Sequence, residues 1–293
     1  MTGFALTERH GGWLSVDYDG VELCRYVYEP HNAQLESPHP YFHPMRTLDG
    51  TLVSLYRPHD HVWHKGLSLA LPNVDDANFW GGPTFVRDKG YQQLPNNGTQ
   101  QHREFGAMRC TADSVEFDES LVWITEQGEE WFDEQREITI SLVEDGWRLT
   151  FGTALHNLRE TTVRFGSPTT EGRPMAGYGG LFWRGPRSFN KGQILASGGQ
   201  AGPELMGERA QWLAYVGKHD GVGGAATVVF VDNSSNPRYP TQWFVRDDPY
   251  ACISPAPFFD EVLELPPGQA LRLRYDVLIG STAWDAEKIE KLK

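Results

Sequence analysis

The chain has 293 residues, 39% of them hydrophobic, which is enough to build a substantial core without disulfide bonds. Its 39 acidic and 26 basic residues give a net charge of −13, which argues against nucleic acid or an anionic membrane as partner. The first residues show no signal-peptide pattern, and no run reaches the roughly 18 apolar residues of a membrane helix. We therefore expect a cytoplasmic protein without membrane association.

Alternating apolar residues around Asp-Gly pairs predict two antiparallel hairpins, since Asp-Gly is a strong two-residue turn signal. In LSVDYDGVELCRYVY the turn falls at Asp19-Gly20, and in EITISLVEDGWRLTF it falls at Asp145-Gly146. Alternation in LRLRYDVLI predicts a further strand near the C-terminus. The one convincing helix is the terminal STAWDAEKIEKLK, where Ser281 or Thr282 can serve as N-cap.

No internal repeat and no change of composition divides the chain, so we predict a single domain over residues 1–293. Its fold class is all-β, a large antiparallel β-sandwich with a short C-terminal helix. Residues 72–106 show the weakest periodicity, and we expect them to form a long ordered loop that carries function.

The three cysteines lie far apart and form no CxxC pair: Cys24, Cys110 and Cys252. Their number and spacing predict neither a disulfide framework nor a zinc ribbon. We expect all three to be reduced, as in the cytoplasm.

The stretch RPHDHVWHKGL, residues 57–67, holds three of the ten histidines. In a plain strand His61 and His64 would point to opposite faces, whereas in a turn or bulge they would converge. Converging imidazoles suit proton transfer, a sugar oxyanion or a divalent metal. A metal would need a third ligand, which no HExxH-type spacing supplies. The alternative is a pair of hydrogen-bonded turn histidines.

Two further segments contain polar side chains that could share a strand face. YFHPMRT contributes Tyr41, His43 and Arg46, of which alternate positions could point into one pocket if this is a strand; the alternative is an edge strand whose polar face meets water. In EEWFDEQREITI, Glu134 and Arg136 are two residues apart and could position a hydroxylated ligand together. A solvated strand end is the alternative for these charges.

The later part of the chain adds glycine, arginine and tryptophan candidates. In YGGLFWRGPRSF, the paired glycines indicate a sheet bend or a close approach to a ligand, and Arg184 follows within reach. In NPRYPTQWFVRDDPY, Arg238 and Trp243 belong to a mixture of aromatic, amide and guanidinium groups that suits a neutral polyol or an acidic sugar. No GxSxG, Walker or GxGxxG motif is present, so we expect no nucleotide cofactor.

Six motifs in order resemble the methane oxygenase PmoA-like family of bacterial proteins: PYFHPMRT, RPHDHVWHKGL, LPNVDDANFWGG, YGGLFWRGPRSF, NPRYPTQWF and PPGQALRLRYDVL. The most specific are the motif ending in His64-Lys65-Gly66, where relatives often have arginine in place of Lys65, and the segment leading to Arg184. An oxygenase subunit of the membrane would need spanning helices, which this sequence lacks. The resemblance implies a galactose-mutarotase-like supersandwich from a family that often accompanies sugar dehydrogenase and transport genes.

By analogy with mutarotases, the resemblance implies a histidine acid, His61 or His64, and a carboxylate base, Glu134 or Glu171. We predict a carbohydrate-processing enzyme of lyase, isomerase or epimerase type with a cleft formed by residues 41–46, 57–67, 130–136, 178–184 and 236–246. The alternatives are a non-catalytic sugar-binding or regulatory protein, and an enzyme acting on a keto-sugar through a metal on His61 and His64. The predicted substrate-binding residues are His43, Arg46, Lys65, Arg136, Arg184, Arg238 and Trp243.

Overall fold

The computed structural model describes residues 3–293, and within them 21 strands and one short α-helix form. The strands are β1 (Phe4–Arg9), β2 (Trp13–Tyr18), β3 (Val21–Val27), β4 (Tyr41–Met45), β5 (Leu67–Val74), β6 (Ala77–Phe79), β7 (Thr84–Val86), β8 (Gly90–Gln92), β9 (Thr99–Cys110), β10 (Ser114–Ile124), β11 (Glu130–Val143), β12 (Gly146–Asn157), β13 (Val163–Gly166), β14 (Gly180–Arg184), β15 (Gln193–Ala196), β16 (Trp212–Lys218), β17 (Ala225–Asp232), β18 (Trp243–Arg246), β19 (Cys252–Pro255), β20 (Leu263–Leu265) and β21 (Ala270–Gly280). The helix is α1 (Ala286–Leu292), and short 3-10 turns cover Gln34–Glu36, Arg187–Phe189, Ser197–Gly199 and Pro203–Leu205.

Two large antiparallel sheets make up the sandwich. The first sheet has the order β1-β2-β3-β4-β5-β14-β19-β18, with β6, β13 and β20 attached at its side. The second sheet has the order β15-β16-β17-β21-β12-β11-β10-β9, and β7 pairs with β8 separately. The predicted antiparallel β-sandwich with a short C-terminal helix is therefore confirmed. No helix within residues 3–293 is long and apolar enough to cross a membrane.

The hydrophobic core lies between the two sheets. Alternate residues of β5, including Leu67 and Leu69, belong to one buried cluster together with Ile138 and Ile140 of β11. Period-two alternation places such residues on one face of each strand, and burial of these faces drives the two sheets together.

Both predicted hairpins are present. Strands β2 and β3 join at Asp19-Gly20, where both residues have positive φ, as a tight two-residue hairpin turn requires. Strands β11 and β12 join one residue earlier than predicted, because Val143 pairs with Gly146 and leaves residues 144–145 as the turn. Gly146 pairs with Gly280 of β21 as well, and a Cβ there would lie 2.3 Å from the carbonyl oxygen of Ile279, so the position requires glycine.

Two sequence expectations need correction. The helix cap is Asp285, whose carboxylate accepts a hydrogen bond from the Lys288 amide, whereas Ser281 binds the Leu48 amide and Thr282 binds Asp145. The expected loop over residues 72–106 contains the end of β5, all of β6, β7 and β8, and the first part of β9. Strands of three residues are too short to show periodicity.

The three cysteines are free, as expected. Cys24 and Cys252 are buried, and Cys110 is exposed on β9.

Candidate functional site

A cavity of about 430 Å³ opens beside residues 57–67 and the segment after β18. We call it the histidine cavity; its walls include His61, Trp63, His64, Trp80, Arg246 and Tyr250. This volume is within the range of small-molecule pockets, and apolar walls with a few polar groups are typical of them.

Two consecutive tight turns bring the histidines together. The amide of His61 donates to the Pro58 carbonyl, and the amide of His64 donates to the His61 carbonyl. The two imidazole rings consequently stack, with centroids 4.6 Å apart and planes 13° from parallel. Of the two geometries that the sequence allowed, the structure has the turn in which His61 and His64 converge, while their role stays a prediction.

Asp60 sets the orientation of His61. Its Oδ2 accepts hydrogen bonds from His61 Nδ1 and from Arg184, each at 2.8 Å, and its Oδ1 accepts one from Arg187 at 2.8 Å. Burial opposes the charge on Asp60, but the bonds from Arg184, His61 and Arg187 outweigh it and hold the pKa of Asp60 well below its usual range. An ionised carboxylate only accepts, so we assign the proton of His61 to Nδ1. Its Nε2 keeps a lone pair.

Arg184 sets the opposite tautomer of His64. Its Nη1 lies 2.8 Å from His64 Nδ1, and a guanidinium only donates, so we assign the proton of His64 to Nε2. Complete burial, together with the charges of His61 and Arg184, holds the pKa of His64 well below its usual value and keeps the ring neutral. Within residues 3–293, neither Nε2 has a hydrogen-bond partner. The pair therefore offers one acceptor and one donor.

Aromatic rings hold this arrangement in place. The Arg184 guanidinium lies 3.9 Å from the centre of the Tyr250 ring, and Tyr250 packs edge-on against His61 at 5.3 Å. Trp80 packs edge-on against His64 at 5.6 Å. Gly82, with φ of +67°, lets the chain pass the indole of Trp63, because a Cβ there would lie 2.7 Å from it.

The structure gives Lys65 a different position from the predicted one. Its ammonium group has no exposed surface and binds Glu36, a buried carboxylate that also accepts two bonds from Arg57 at 2.7 and 2.9 Å. Lys65 therefore does not line the histidine cavity. It anchors residues 57–67 to the 3-10 turn Gln34–Glu36 instead.

His43 and Arg46 belong to another cavity, of about 660 Å³, on the outer side of β3 and β4. His43 Nδ1 lies 2.9 Å from the hydroxyl of Ser54, and burial together with the charge of Arg46 lowers the pKa of His43 to about 4. The predicted cleft combined these residues with His61 and His64, and the structure separates them.

Glu134 and Arg136 do share a strand face, as predicted, but that face points into the core. The pair is bonded at 2.8 Å with both side chains buried, and Trp123 and Thr153 also donate to Glu134. The same face of β11 carries Ile138, so alternation along the strand directs all these side chains between the sheets. Glu134 is therefore out of reach of the histidine cavity.

The side chains of Arg238 and Trp243 donate hydrogen bonds to backbone carbonyls and do not line the histidine cavity. Arg238 donates to the carbonyls of Pro257, Glu261 and Val262 at 2.6–2.9 Å, and Trp243 is fully buried with its indole N–H on the Ala210 carbonyl. Glu171, the other predicted base, does not line the histidine cavity.

Of the predicted residues, the structure brings together His61, His64 and Arg184. The sequence interpretation missed Asp60 and Tyr250. The signal for Asp60 was present, because a carboxylate next to a histidine can orient its ring, whereas Tyr250 carried no local signal.

Within residues 3–293, the structure places no third metal ligand beside His61 and His64. In the part of the chain that the structure describes, no group of three or more His, Cys, Asp or Glu side chains is placed to hold an ion. Asp60 and Arg184 already occupy the Nδ1 atoms of His61 and His64, so two imidazole nitrogens remain where a site needs at least three protein ligands.

Fold and cavity together define an antiparallel β-sandwich protein with a pocket of small-molecule size. Residues 14–293 match the model of a family of unknown function, DUF6807, and the chain belongs to that family. No functionally curated protein matches the sequence.

Several solved structures are distantly similar. An α-galactosidase from Lactobacillus brevis matches at 9% identity and a TM-score of 0.47, over 96% of this chain and 40% of that one. Galactose mutarotase-like proteins from Lactobacillus casei ATCC 334 and Clostridium acetobutylicum match at 7% and 13% identity, with TM-scores of 0.39 and 0.35. Each match covers 94% of this chain, and 100% and 98% of the respective structures. The chain thus spans less than half of the α-galactosidase and nearly all of the mutarotase-like proteins.

Proposed function

We propose that the protein is a carbohydrate-processing enzyme that moves a proton on a sugar, as an isomerase, epimerase or lyase does. One observation carries this proposal: two stacked histidines with opposite tautomers, fixed by Asp60 and Arg184, face one cavity. A lone pair beside an N–H donor is what enolisation next to a carbonyl group requires.

In this mechanism His61 is the general base. Its Nε2 takes the proton from the carbon next to the carbonyl, and the electron pair moves onto the carbonyl oxygen. His64 stays neutral and stabilises that oxygen with its Nε2–H, as a donor rather than a proton source. Return of the proton to the other face of the same carbon completes epimerisation. In an isomerase the proton returns to the former carbonyl carbon, while the hydroxyl proton of the neighbouring carbon passes to the former carbonyl oxygen. In a lyase the enolate reforms the carbonyl and breaks the C–O bond at the next carbon, and the leaving oxygen takes the proton.

The residues that line the cavity favour a carbohydrate as the substrate. Trp63 and Trp80 supply flat apolar surface of the kind that packs against sugar rings. The resemblance of the motifs to PmoA-like proteins agrees with a role in carbohydrate use and stays a prediction.

We also propose one domain and a cytoplasmic location. A single buried cluster contains residues of both large sheets, which supports one folding unit. Three free cysteines suit a reducing compartment.

Solvent-deuterium exchange tests the proton transfer. A panel of aldoses, ketoses and sugar acids is incubated with the enzyme in D₂O, and NMR follows loss of the proton next to the carbonyl. We expect exchange on at least one sugar, and His61→Gln to reduce its rate by roughly 10²-fold or more. His61 is about one-third exposed, at 34% of its side chain, so the melting temperature should hardly change.

His59→Gln is the matched control, because His59 lies in the same loop, is exposed and does not line the cavity. Binding of sugars without exchange would support the sugar-binding alternative. Equal exchange by wild type and His61→Gln would overturn the role of His61.

A further inference from the structure

The histidine cavity carries two arginines without acidic partners. Arg173 and Arg246 both line it, and neither forms an ion pair with any residue from 3 to 293. Arg173 donates to the Tyr91 hydroxyl and lies 5.0 Å from that ring. The guanidinium of Arg246 has no hydrogen-bond partner in the described chain and lies 5.4 Å from the Phe244 ring.

Other arginines of the described chain, such as Arg109, also lack an ion pair, but Arg173 and Arg246 are the two of these that line the histidine cavity. The chain has 39 acidic against 26 basic residues, so acidic partners are plentiful. No Asp or Glu of the described chain is among the residues that line the cavity. The nearby carboxylate, Asp60, is already bound by Arg184, Arg187 and His61. The cavity is therefore a cationic site in an anionic protein, and its low-dielectric walls strengthen the attraction for an anion.

Arg246 is the better placed of the two. It ends β18 and lines the cavity together with His61 and Tyr250, whose rings pack edge-on at 5.3 Å. An anionic group held by Arg246 would therefore share the cavity with the imidazole that offers a lone pair. Arg173 lies on the side of the cavity that Tyr91 and Tyr178 form, and its guanidinium already donates a hydrogen bond to the Tyr91 hydroxyl.

We infer that the ligand of the histidine cavity is an anionic sugar, whose carboxylate or phosphate group Arg246 binds beside His61. This inference rests on the proposed function for the sugar part of the ligand and adds its charge. A guanidinium binds both kinds of oxyanion through paired N–H groups. Where the group is a carboxylate next to the reacting carbon, the charge of Arg246 offsets the negative charge that would otherwise oppose removal of the proton there by His61.

Calorimetric titration with matched ligands tests the charge. D-Glucuronate and D-galacturonate are compared with D-glucose and D-galactose, which have the same rings without the carboxylate, and D-glucose 6-phosphate forms the phosphate arm. We expect at least one anionic sugar to bind about tenfold or more tightly than its neutral counterpart, with an affinity that falls as salt rises. Tighter binding of a uronate identifies the anionic group as a carboxylate, and tighter binding of D-glucose 6-phosphate identifies it as a phosphate.

Arg246→Gln should weaken the anionic sugar by about tenfold to a hundredfold and leave neutral sugars unchanged. Arg246→Lys, which keeps the charge, should retain part of the affinity. Arg109→Gln is the control: Arg109 is exposed on β9, makes no ion pair in the described chain and changes the net charge equally. Circular dichroism melting confirms that each variant is folded.

Neutral sugars that bind as tightly as acids, or an acid preference that survives in folded Arg246→Gln, would overturn the inference. If anionic sugars bind but no deuterium exchange is observed, only the proposed function is contradicted. Exchange on neutral hexoses without an acid preference contradicts only the inference.

Discussion

At the scale of single residues, burial and hydrogen-bond partners decide which nitrogen of each cavity histidine carries the proton. Asp60 holds His61 with a free Nε2 lone pair, and Arg184 holds His64 with a free Nε2–H. Both rings are of the same chemical type, and their opposite tautomers arise because one neighbour only accepts and the other only donates. His39, outside the cavity, is also held by hydrogen-bond partners on both ring nitrogens. Its Nδ1 lies 2.5 Å from the Ser37 carbonyl oxygen, and its Nε2 lies 3.0 Å from the Ser68 hydroxyl.

His39 makes the stability of the protein depend on pH. Burial, together with the charge of Lys65, lowers the pKa of His39 from 6.5 to about 3. The unfolded chain then binds the proton more readily than the folded one, so this contribution is complete above pH 6.5 and is lost as the pH falls towards 3. Between pH 7 and pH 5, His39 alone should lower the free energy of unfolding by about 2 kcal/mol.

Urea unfolding at several pH values measures this dependence. His39→Gln removes the titrating group, so its free energy of unfolding should fall less steeply with acidification than that of wild type. His10→Gln, at a fully exposed histidine, should leave the slope unchanged. Identical slopes for His39→Gln and wild type would contradict the prediction.

At the scale of elements, residues 57–67 are irregular in backbone and yet closely fixed. Lys65 and Arg57 both bind Glu36 on the adjoining 3-10 turn, and Arg184 at the end of β14 binds Asp60. Gly66, with φ of +79°, leads into β5, and a Cβ there would lie 2.4 Å from the Phe42 carbonyl oxygen of β4. Residues 57–67 are thus held by the 3-10 turn at Glu36, by β14 through Arg184 and by β5, into which they lead.

Lys65→Met should destabilise the protein by about 3 kcal/mol, because it leaves the buried Glu36 carboxylate with one cationic partner fewer. Equilibrium urea unfolding measures the loss. The double variant Glu36→Gln with Lys65→Met should recover part of it, which a double-mutant cycle quantifies. A Lys65→Met protein of wild-type stability but weaker sugar binding would instead support the predicted substrate contact.

At the scale of the whole molecule, the two sheets enclose charged residues as well as an apolar core. Arg136 bonds Glu134 and donates to the Tyr26 hydroxyl at 2.7 Å, which joins β11 to β3 across the sandwich. Tyr26 in turn bonds Glu119 on β10. A buried pair of this kind tolerates loss of one member poorly, because the other charge is left without a partner.

Glu134→Ala should therefore cost about 3–5 kcal/mol of stability while the folded protein keeps its deuterium-exchange rate. Glu137→Ala is the control on the same strand, since Glu137 is 71% exposed and faces away from the core. Thermal melting and exchange are measured on the same samples. A Glu134→Ala protein that is as stable as wild type but shows no deuterium exchange would contradict this prediction and support Glu134 as the catalytic base that the sequence predicted.

The sequence by itself determined the alternating strands and the two hairpins. These features depend on local sterics and on residues at most a few positions apart, as in Asp19-Gly20 and in the alternation of β11. Only the tertiary structure decided which polar side chains share a cavity. Alternation places Glu134 and Arg136 on one face without saying whether that face meets solvent or the opposite sheet. The bond between Asp60 and Arg184 joins residues 124 positions apart, and such a contact exists only once β14 is docked beside β5.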